Sequence, residues 1–300
     1  MNILISVNSE YIDKAQTMLY SVYMHTKERV DIYILNSSLT DSEIQSFSEY
    51  LMAKCSMVVH EITIDDNIFD GFPIGPLSKE AYYRVVAQYY LPQDLERILW
   101  LDADIIVMND ITNFYNMPFN GKKMIVCPDR CNNSDYVNKI KKKLGLSDDY
   151  VYFNSGVLLI NLELLRAEKD QKELLYECRT IIDRIEYHDQ DLLNYLYSDS
   201  VGYEDWKVYN YQLLGINKIS KEELNRIAIL HYAGREKPWE YSHINSVSKY
   251  YWKVKSLQGY KKESRGMYKT KVVGSFLKTI NSFKDIFLYL RDLLYVSKKA

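Results

Sequence analysis

Residues 97–108, Arg-Ile-Leu-Trp-Leu-Asp-Ala-Asp-Ile-Ile-Val-Met, constrain this chain more than any other stretch. An apolar run of strand length reaches two carboxylates, Asp102 and Asp104, and then resumes. Such a run reads as a buried central strand that breaks open at Asp102 and Asp104. Side chains at i and i+2 share a face of an extended chain, so the spacing predicts both carboxylates pointing one way. Two negative charges at the mouth of an apolar strand are costly to leave unpaired, which makes a divalent cation a natural partner. Oxygen ligands of this kind suit Mg²⁺ or Mn²⁺, whose shell is often completed by substrate phosphates. Asp-x-Asp pairs also cap helices or face water, and a second one stands at Asp189-Gln190-Asp191. The apolar flanks of the first pair favour the metal reading.

Upstream, the apolar pattern alternates between two periods. Residues 2–7 form a short strand, and Ala15, Met18, Leu19 and Val22 recur at helical spacing before a strand at 30–35. Thr40 with Glu43 three residues later is a capping box that opens a helix to about Lys54, and 57–64 is the next strand. Strand, helix, strand, helix, strand predicts a parallel sheet with right-handed crossovers, whose ligands gather beyond the carboxyl ends of the strands. The loop after the first strand, Ser6-Val7-Asn8-Ser9-Glu10-Tyr11, has no glycine and therefore no dinucleotide fingerprint. It is either a polar turn or a place for a nucleotide held by backbone groups, Asn8 and the Tyr11 ring. Residues 65–78, with Gly71, Pro73, Gly75 and Pro76, read as a loop, and 79–90 as a helix carrying Arg84 and ending before Pro92.

Beyond Met108 a strand is expected at 123–127. The polar, lysine-rich stretch 128–150 reads equally as a solvated loop or as an insertion holding an acceptor pocket. Residues 152–161 are a strand in which Gly156 lets another group approach the backbone closely. Helical sequence runs over 168–187, and His188-Asp189-Gln190-Asp191 opens a further helix, its polar side chains placed either to cap it or to face a ligand. A last strand at 226–230 delivers His231, Gly234 and Lys237. A lone His at a strand end is more often a hydrogen-bonded surface residue, but here the following glycine and lysine suit a diphosphate.

The formal charge of −2 gives no global attraction for nucleic acid. It hides an asymmetry, because residues 253–300 carry twelve Lys/Arg against three Asp/Glu, leaving −11 on 1–252. In that tail Phe276, Ile280, Phe283, Phe287, Leu290 and Leu294 fall on one helical face, the pattern of a basic amphipathic helix lying on anionic lipid. Lys284 and Arg291 break the stripe, so it is not a span, and a helix packed on protein is the competing reading. Cys55, Cys127, Cys131 and Cys178 are scattered without a zinc spacing and read as reduced thiols of a cytoplasmic protein. The N-terminus lacks a basic region and cleavage signal and reads as a strand.

Taken in order, four motifs resemble those of the retaining glycosyltransferases of family 8, over residues 1 to about 255: Leu101-Asp102-Ala103-Asp104, Phe153-Asn154-Ser155-Gly156-Val157, Asp189-Gln190-Asp191, and His231-x-x-Gly234-x-x-Lys237-Pro238-Trp239. The chain resembles in particular the bacterial lipopolysaccharide galactosyl- and glucosyltransferases. The resemblance implies a single nucleotide-binding domain of the GT-A, Rossmann-like kind at 1–255, an α/β fold with one mixed, mostly parallel sheet. Residues 256–300 would then be a small helical appendage.

The resemblance also implies a site. Asp102, Asp104 and His231 would hold a metal, and the mixed oxygen and nitrogen set favours Mn²⁺ over Mg²⁺. Asp102, Ala103, Asp104, Gly234 and Lys237 would meet the nucleotide diphosphate, and Ser6, Asn8 and Tyr11 the uridine. Arg84, Asn154, Ser155, Asp189 and Gln190 would touch the donor sugar. Asn8 departs from the family, where an Asp is common at that position. The implied reaction moves galactose or glucose from a UDP-sugar to a saccharide or lipid-linked glycan, at the inner face of the cell membrane. Gln190 stands at the reactive face, and because an amide is a poor nucleophile front-face attack is expected, with Asp189 the fallback nucleophile. A self-glucosylating priming protein of the same family, or a metal-dependent UDP-sugar hydrolase, is the alternative.

Overall fold

The structure, a computed structural model, describes residues 1–74, 78–240, 243 and 245–260. Among them ten strands form two sheets. In chain order they are β1 (Asn2–Ile5), β2 (Asp31–Asn36), β3 (Val58–Thr63), β4 (Arg97–Leu101), β5 (Ile105–Val107), β6 (Met124–Pro128), β7 (Phe153–Asn161), β8 (Val201–Tyr203), β9 (Tyr211–Gln212) and β10 (Ile229–His231). The seven-stranded sheet has the order β3-β2-β1-β4-β7-β6-β8, and the three-stranded one β5-β10-β9. Only β7 runs against its neighbours in the large sheet, antiparallel to both β4 and β6. The α/β class and the mixed, mostly parallel sheet are as expected.

The central strands of the large sheet are buried on both faces, which is why they read as continuous apolar runs. Leu4, Ile98, Trp100, Leu158 and Ile160 face one core with the helices Tyr83–Tyr90 and His188–Leu196. Ile3, Ile5, Leu99, Leu101, Val157 and Leu159 face the other, with the helices Ile12–His25 and Asp41–Cys55. The predicted capping box at Thr40 and Glu43 is present in full at the head of Asp41–Cys55.

The chain departs from the sequence reading at five places. Residues 97–108 are not one strand: the backbone turns at Ala103–Asp104, and β5 leaves the large sheet to pair antiparallel with β10. Residues 128–150 are not a bare loop, because Ser134 caps a helix Asp135–Leu144 that Gly145 ends at φ 77°. The helix expected at 168–187 is two pieces, Gln171–Thr180 and a 3-10 turn at Ile182–Arg184, and the capping box of Asp170 and Glu173 separates it from a preceding helix, Leu162–Glu168. Residues 79–90 begin as a 3-10 turn, Lys79–Tyr82, before the α-helix. Residues 221–226 are helical, leaving a three-residue last strand.

The described chain divides into two compact units, Met1–Glu236 and one beginning at Lys237. The second is built on the helix Ser248–Leu257, where Trp252 Nε1 donates to the carbonyl of Pro238 and Trp239 packs on Tyr251. The apolar stripe expected from Phe276 to Leu294 lies outside the described residues. No helix among the described residues is long and apolar enough to cross a membrane.

Candidate active site

Asp102, Asp104 and His231 converge. Each offers a ligand atom, and the three atoms lie within 4.8 Å of one another, the only such group among the described residues. His231 Nε2 is 3.2 Å from Asp104 Oδ1 and 3.9 Å from Asp102 Oδ2. Asp104 is 8% and His231 2% exposed. The convergence does not come from strand parity. Asp102 and Asp104 flank a turn, and the main chain anchors both ends of it: Asp102 N donates to Gly156 O (3.0 Å) and Tyr232 N to Asp104 O (2.9 Å). The register of β10 on β5 sets Ile105 opposite His231, so the pairing that pulls β5 out of the large sheet also delivers the imidazole. The donor set, two carboxylates and an imidazole, suits a divalent cation.

Gly156 makes this approach possible. A β-carbon there would stand 2.4 Å from His231 Cε1 and 2.8 Å from Asp102 Oδ2. The close approach expected at this glycine is therefore that of the acidic cluster itself. A bulge lies beside it, because pairing jumps from Val126 opposite Leu158 to Cys127 opposite Asn154, so that the register on β6 skips residues 155–157 while Gly156 O still accepts from Asp102 N.

Arg84 ties the cluster to the head of the helix His188–Leu196. Its guanidinium lies 2.9 Å from Asp102 Oδ1 and 3.3 Å from Asp189 Oδ2, donates to Ser155 O at 2.7 Å, and stacks on the Trp100 ring. Trp100 Nε1 donates to the same Asp102 oxygen (2.9 Å). Burial pushes the Asp189 carboxyl up from the ordinary carboxylate range, against the pull of Arg84. Ser155 Oγ donates to Asp189 Oδ2 (2.9 Å), and Gln190 Oε1 accepts from Asn154 Nδ2 (2.9 Å) and Ser155 N (3.2 Å). Arg84, Asn154, Ser155, Asp189 and Gln190 thus form one connected buried cluster.

Two supports, Asp129 and Asn210, went unseen in the sequence, and Asp191 reads there only as part of its motif. Asp129 accepts from Gln190 Nε2 (3.2 Å), and burial raises its pKa. Asn210, fully buried, links His231 Nδ1 (2.8 Å) to Asn154 Oδ1 (2.9 Å). Asp191 turns away from the cluster to accept from Tyr152 Oη and from the backbone of Glu186 (2.5 Å) and Tyr187 (2.8 Å). Asp129 follows a strand end, the position where ligands gather, which is a usable signal. Asn210 sits before a two-residue strand and carries none.

Ser6 Oγ donates to Leu35 O, and Asn8 Oδ1 accepts from Glu10 N in an Asx turn. Tyr11 N-caps the first helix. Carrying the β1–β4 register on from Leu4 opposite Trp100 sets Ser6 level with Asp102, so this loop and the acidic turn share one sheet edge. Ala103 packs partly buried in the core beside Leu101 and Ile105. Gly234 has φ +83°, and a β-carbon would meet Leu214 at 2.7 Å. Lys237 opens the second unit. All four cysteines are free thiols, three buried and Cys131 exposed.

A doubly covered α/β sheet with an acidic, imidazole-bearing cluster at its carboxyl edge is the framework of a metal-competent α/β enzyme. The sequence matches the model of glycosyl transferase family 8 over residues 2–243, and the chain belongs to that family, a glycosyltransferase of a typically metal-dependent kind. It is 26% identical over 254 residues to a putative glycosyltransferase of Haemophilus influenzae, covering 82% of this chain and 75% of that one. It is 25% identical over 273 residues to the lipopolysaccharide 1,2-glucosyltransferase of Escherichia coli K12, covering 84% and 76%. The crystal structure of the galactosyltransferase LgtC, in complex with donor and acceptor sugar analogs, superposes with a TM-score of 0.74 at 22% identity, covering 85% of this chain and 95% of that one, and shows the same fold.

Proposed function

We propose that this chain transfers galactose or glucose, with retention at the anomeric carbon, from a UDP-sugar to a saccharide or lipid-linked glycan acceptor. The observation that carries the reading is the continuity of the site: Arg84 touches Asp102 on one side and Asp189 on the other, so a cation site and a sugar-side cluster share one guanidinium. Asp102, Asp104 and His231 would hold Mn²⁺ or Mg²⁺, which when bound supplies positive charge against the departing diphosphate. Gly234 and Lys237 would add backbone N–H and ammonium donors to the same phosphates. Ser6, Asn8 and Tyr11 would border the uridine.

On the sugar side, Arg84, Asn154 and Ser155 would orient the hexose beside Gln190. Asp189 Oδ2 is held by both Arg84 and Ser155, which supports front-face attack over a carboxylate nucleophile. The acceptor oxygen bonds the anomeric carbon on the face the diphosphate leaves, the carbon–oxygen bond to phosphate breaks, and the hydroxyl proton passes to a phosphate oxygen. The Gln190 amide then faces an oxocarbenium-like centre that it can stabilise without bonding.

The relatives' acceptors suggest work on lipopolysaccharide or another surface glycan. Docking of residues 256–300 on the anionic inner face of the cell membrane would bring a lipid-linked acceptor within reach. UDP release is the direct test: the full chain with Mn²⁺ and a panel of nucleotide sugars should turn over a UDP-hexose faster with a glycan acceptor, and EDTA should stop it. Undiminished turnover in EDTA would remove the metal role.

A further inference from the structure

The hydrogen bonds running from His231 to Asp129 have directions that two backbone N–H groups decide. Gly156 N donates to Asn154 Oδ1 at 3.0 Å, so that amide turns its oxygen to the main chain and its Nδ2 must donate to Gln190 Oε1. Ser155 N donates to the same Oε1, which leaves Gln190 Nε2 to donate to Asp129 Oδ2. In the other direction Asn154 Oδ1 also accepts from Asn210 Nδ2, so Asn210 presents its oxygen to His231 Nδ1. An amide oxygen can only accept. His231 Nδ1 therefore carries a proton, and the Nε2 side of the ring faces Asp102 and Asp104.

We infer that Asn210 is a positioning residue serving both halves of the site: it sets the tautomer of His231 and, through Asn154, the orientation of the Gln190 amide. Its burial leaves no water to substitute for either bond. The inference rests on the proposed roles of His231 and Gln190, but the bond from His231 Nδ1 to Asn210 is made without any metal.

Two substitutions separate the two arms. Asn210→Asp is nearly isosteric and still accepts from His231 Nδ1, yet it has no proton for Asn154 Oδ1 and sets two oxygens against each other. Asn210→Ala loses both contacts. Full-length, metal-free protein labelled with ¹⁵N-histidine reports the tautomer by long-range ¹H–¹⁵N spectra, His231 being identified by its absence in His231→Gln. Mn²⁺ alone, titrated by electron paramagnetic resonance, reports affinity, and UDP release reports kcat and donor KM.

Asn210→Asp should keep the Nδ1–H tautomer and Mn²⁺ affinity while kcat falls about 10- to 100-fold, the usual range for groups that orient a ligand. Asn210→Ala should lose the tautomer preference and about 10- to 100-fold in Mn²⁺ affinity as well. A wild-type His231 without a proton on Nδ1, or an Asn210→Ala protein with unchanged tautomer and Mn²⁺ affinity, overturns the inference. An Asn210→Asp protein with wild-type kcat overturns the Gln190 arm. Absence of Mn²⁺ binding in the wild type, beside an Asn210-dependent tautomer, upholds the relay and instead defeats the metal reading.

Discussion

The chain contains two Asp-x-Asp triplets, and they do opposite things. Asp102 and Asp104 bracket a turn between strands of two different sheets, and their carboxylates meet at His231. Asp189 and Asp191 lie in the first turn of the helix His188–Leu196, where residues two apart point about 200° from each other at 3.6 residues per turn. Asp189 accordingly enters the site and Asp191 leaves it, to hold Tyr152 and the loop before the helix. That helix opens on His188 at φ 48°, a left-handed conformation that costs a residue with a β-carbon about 1–2 kcal/mol. The same spacing thus means convergence on one backbone and divergence on another. Only the backbone tells them apart.

The largest effect that would sharpen this contrast is expected at the converging pair. Asp104→Asn should lower transfer on the order of 10²–10³-fold, the scale of removing one electrostatic contributor from a water-poor site. Circular dichroism should stay native; a variant that still transfers sugar at the wild-type rate would take the first triplet out of the chemistry. At the middle of the second triplet, Gln190→Ala should slow transfer by about 10²-fold without abolishing it. Intact-mass spectra of the stalled enzyme should show no added hexose, and an adduct would break the front-face proposal.

At the diverging carboxylate the change should appear in stability. Asp191→Ala strands the hydroxyl of Tyr152 and two backbone N–H groups, and should cost about 3 kcal/mol in urea unfolding. An Asp191→Ala protein as stable as the wild type would mean that the carboxylate is not structural. The smallest effect is one of pH. Burial raises the folded pKa of Asp191 above its ordinary 3.8, so the stability held by its neutral form is complete below that value and is lost as pH rises through the raised one. The stability of wild type minus that of Asp191→Asn should therefore decline from pH 3.5 toward neutrality. A constant or widening gap would show that the bonds to Tyr152, Glu186 and Tyr187 outweigh desolvation.

Much of the framework was legible because local patterns report burial and chain breaks. The runs at β1, β2 and β4 announced strands covered on both faces; Thr40 and Glu43 announced a helix start; Gly156 announced a close approach. Periodicity says which side of a strand is dry, but it does not say which strand lies beside it or in what direction. For that reason the antiparallel insertion of β7, the departure of β5 into a second sheet and the delivery of His231 opposite Ile105 were decided by long-range pairing alone. Asn210 shows the same limit at the scale of one side chain. A buried amide looks like any other polar residue in the sequence, and it acquires a role only when a strand from far along the chain brings His231 to one side of it and Asn154 to the other.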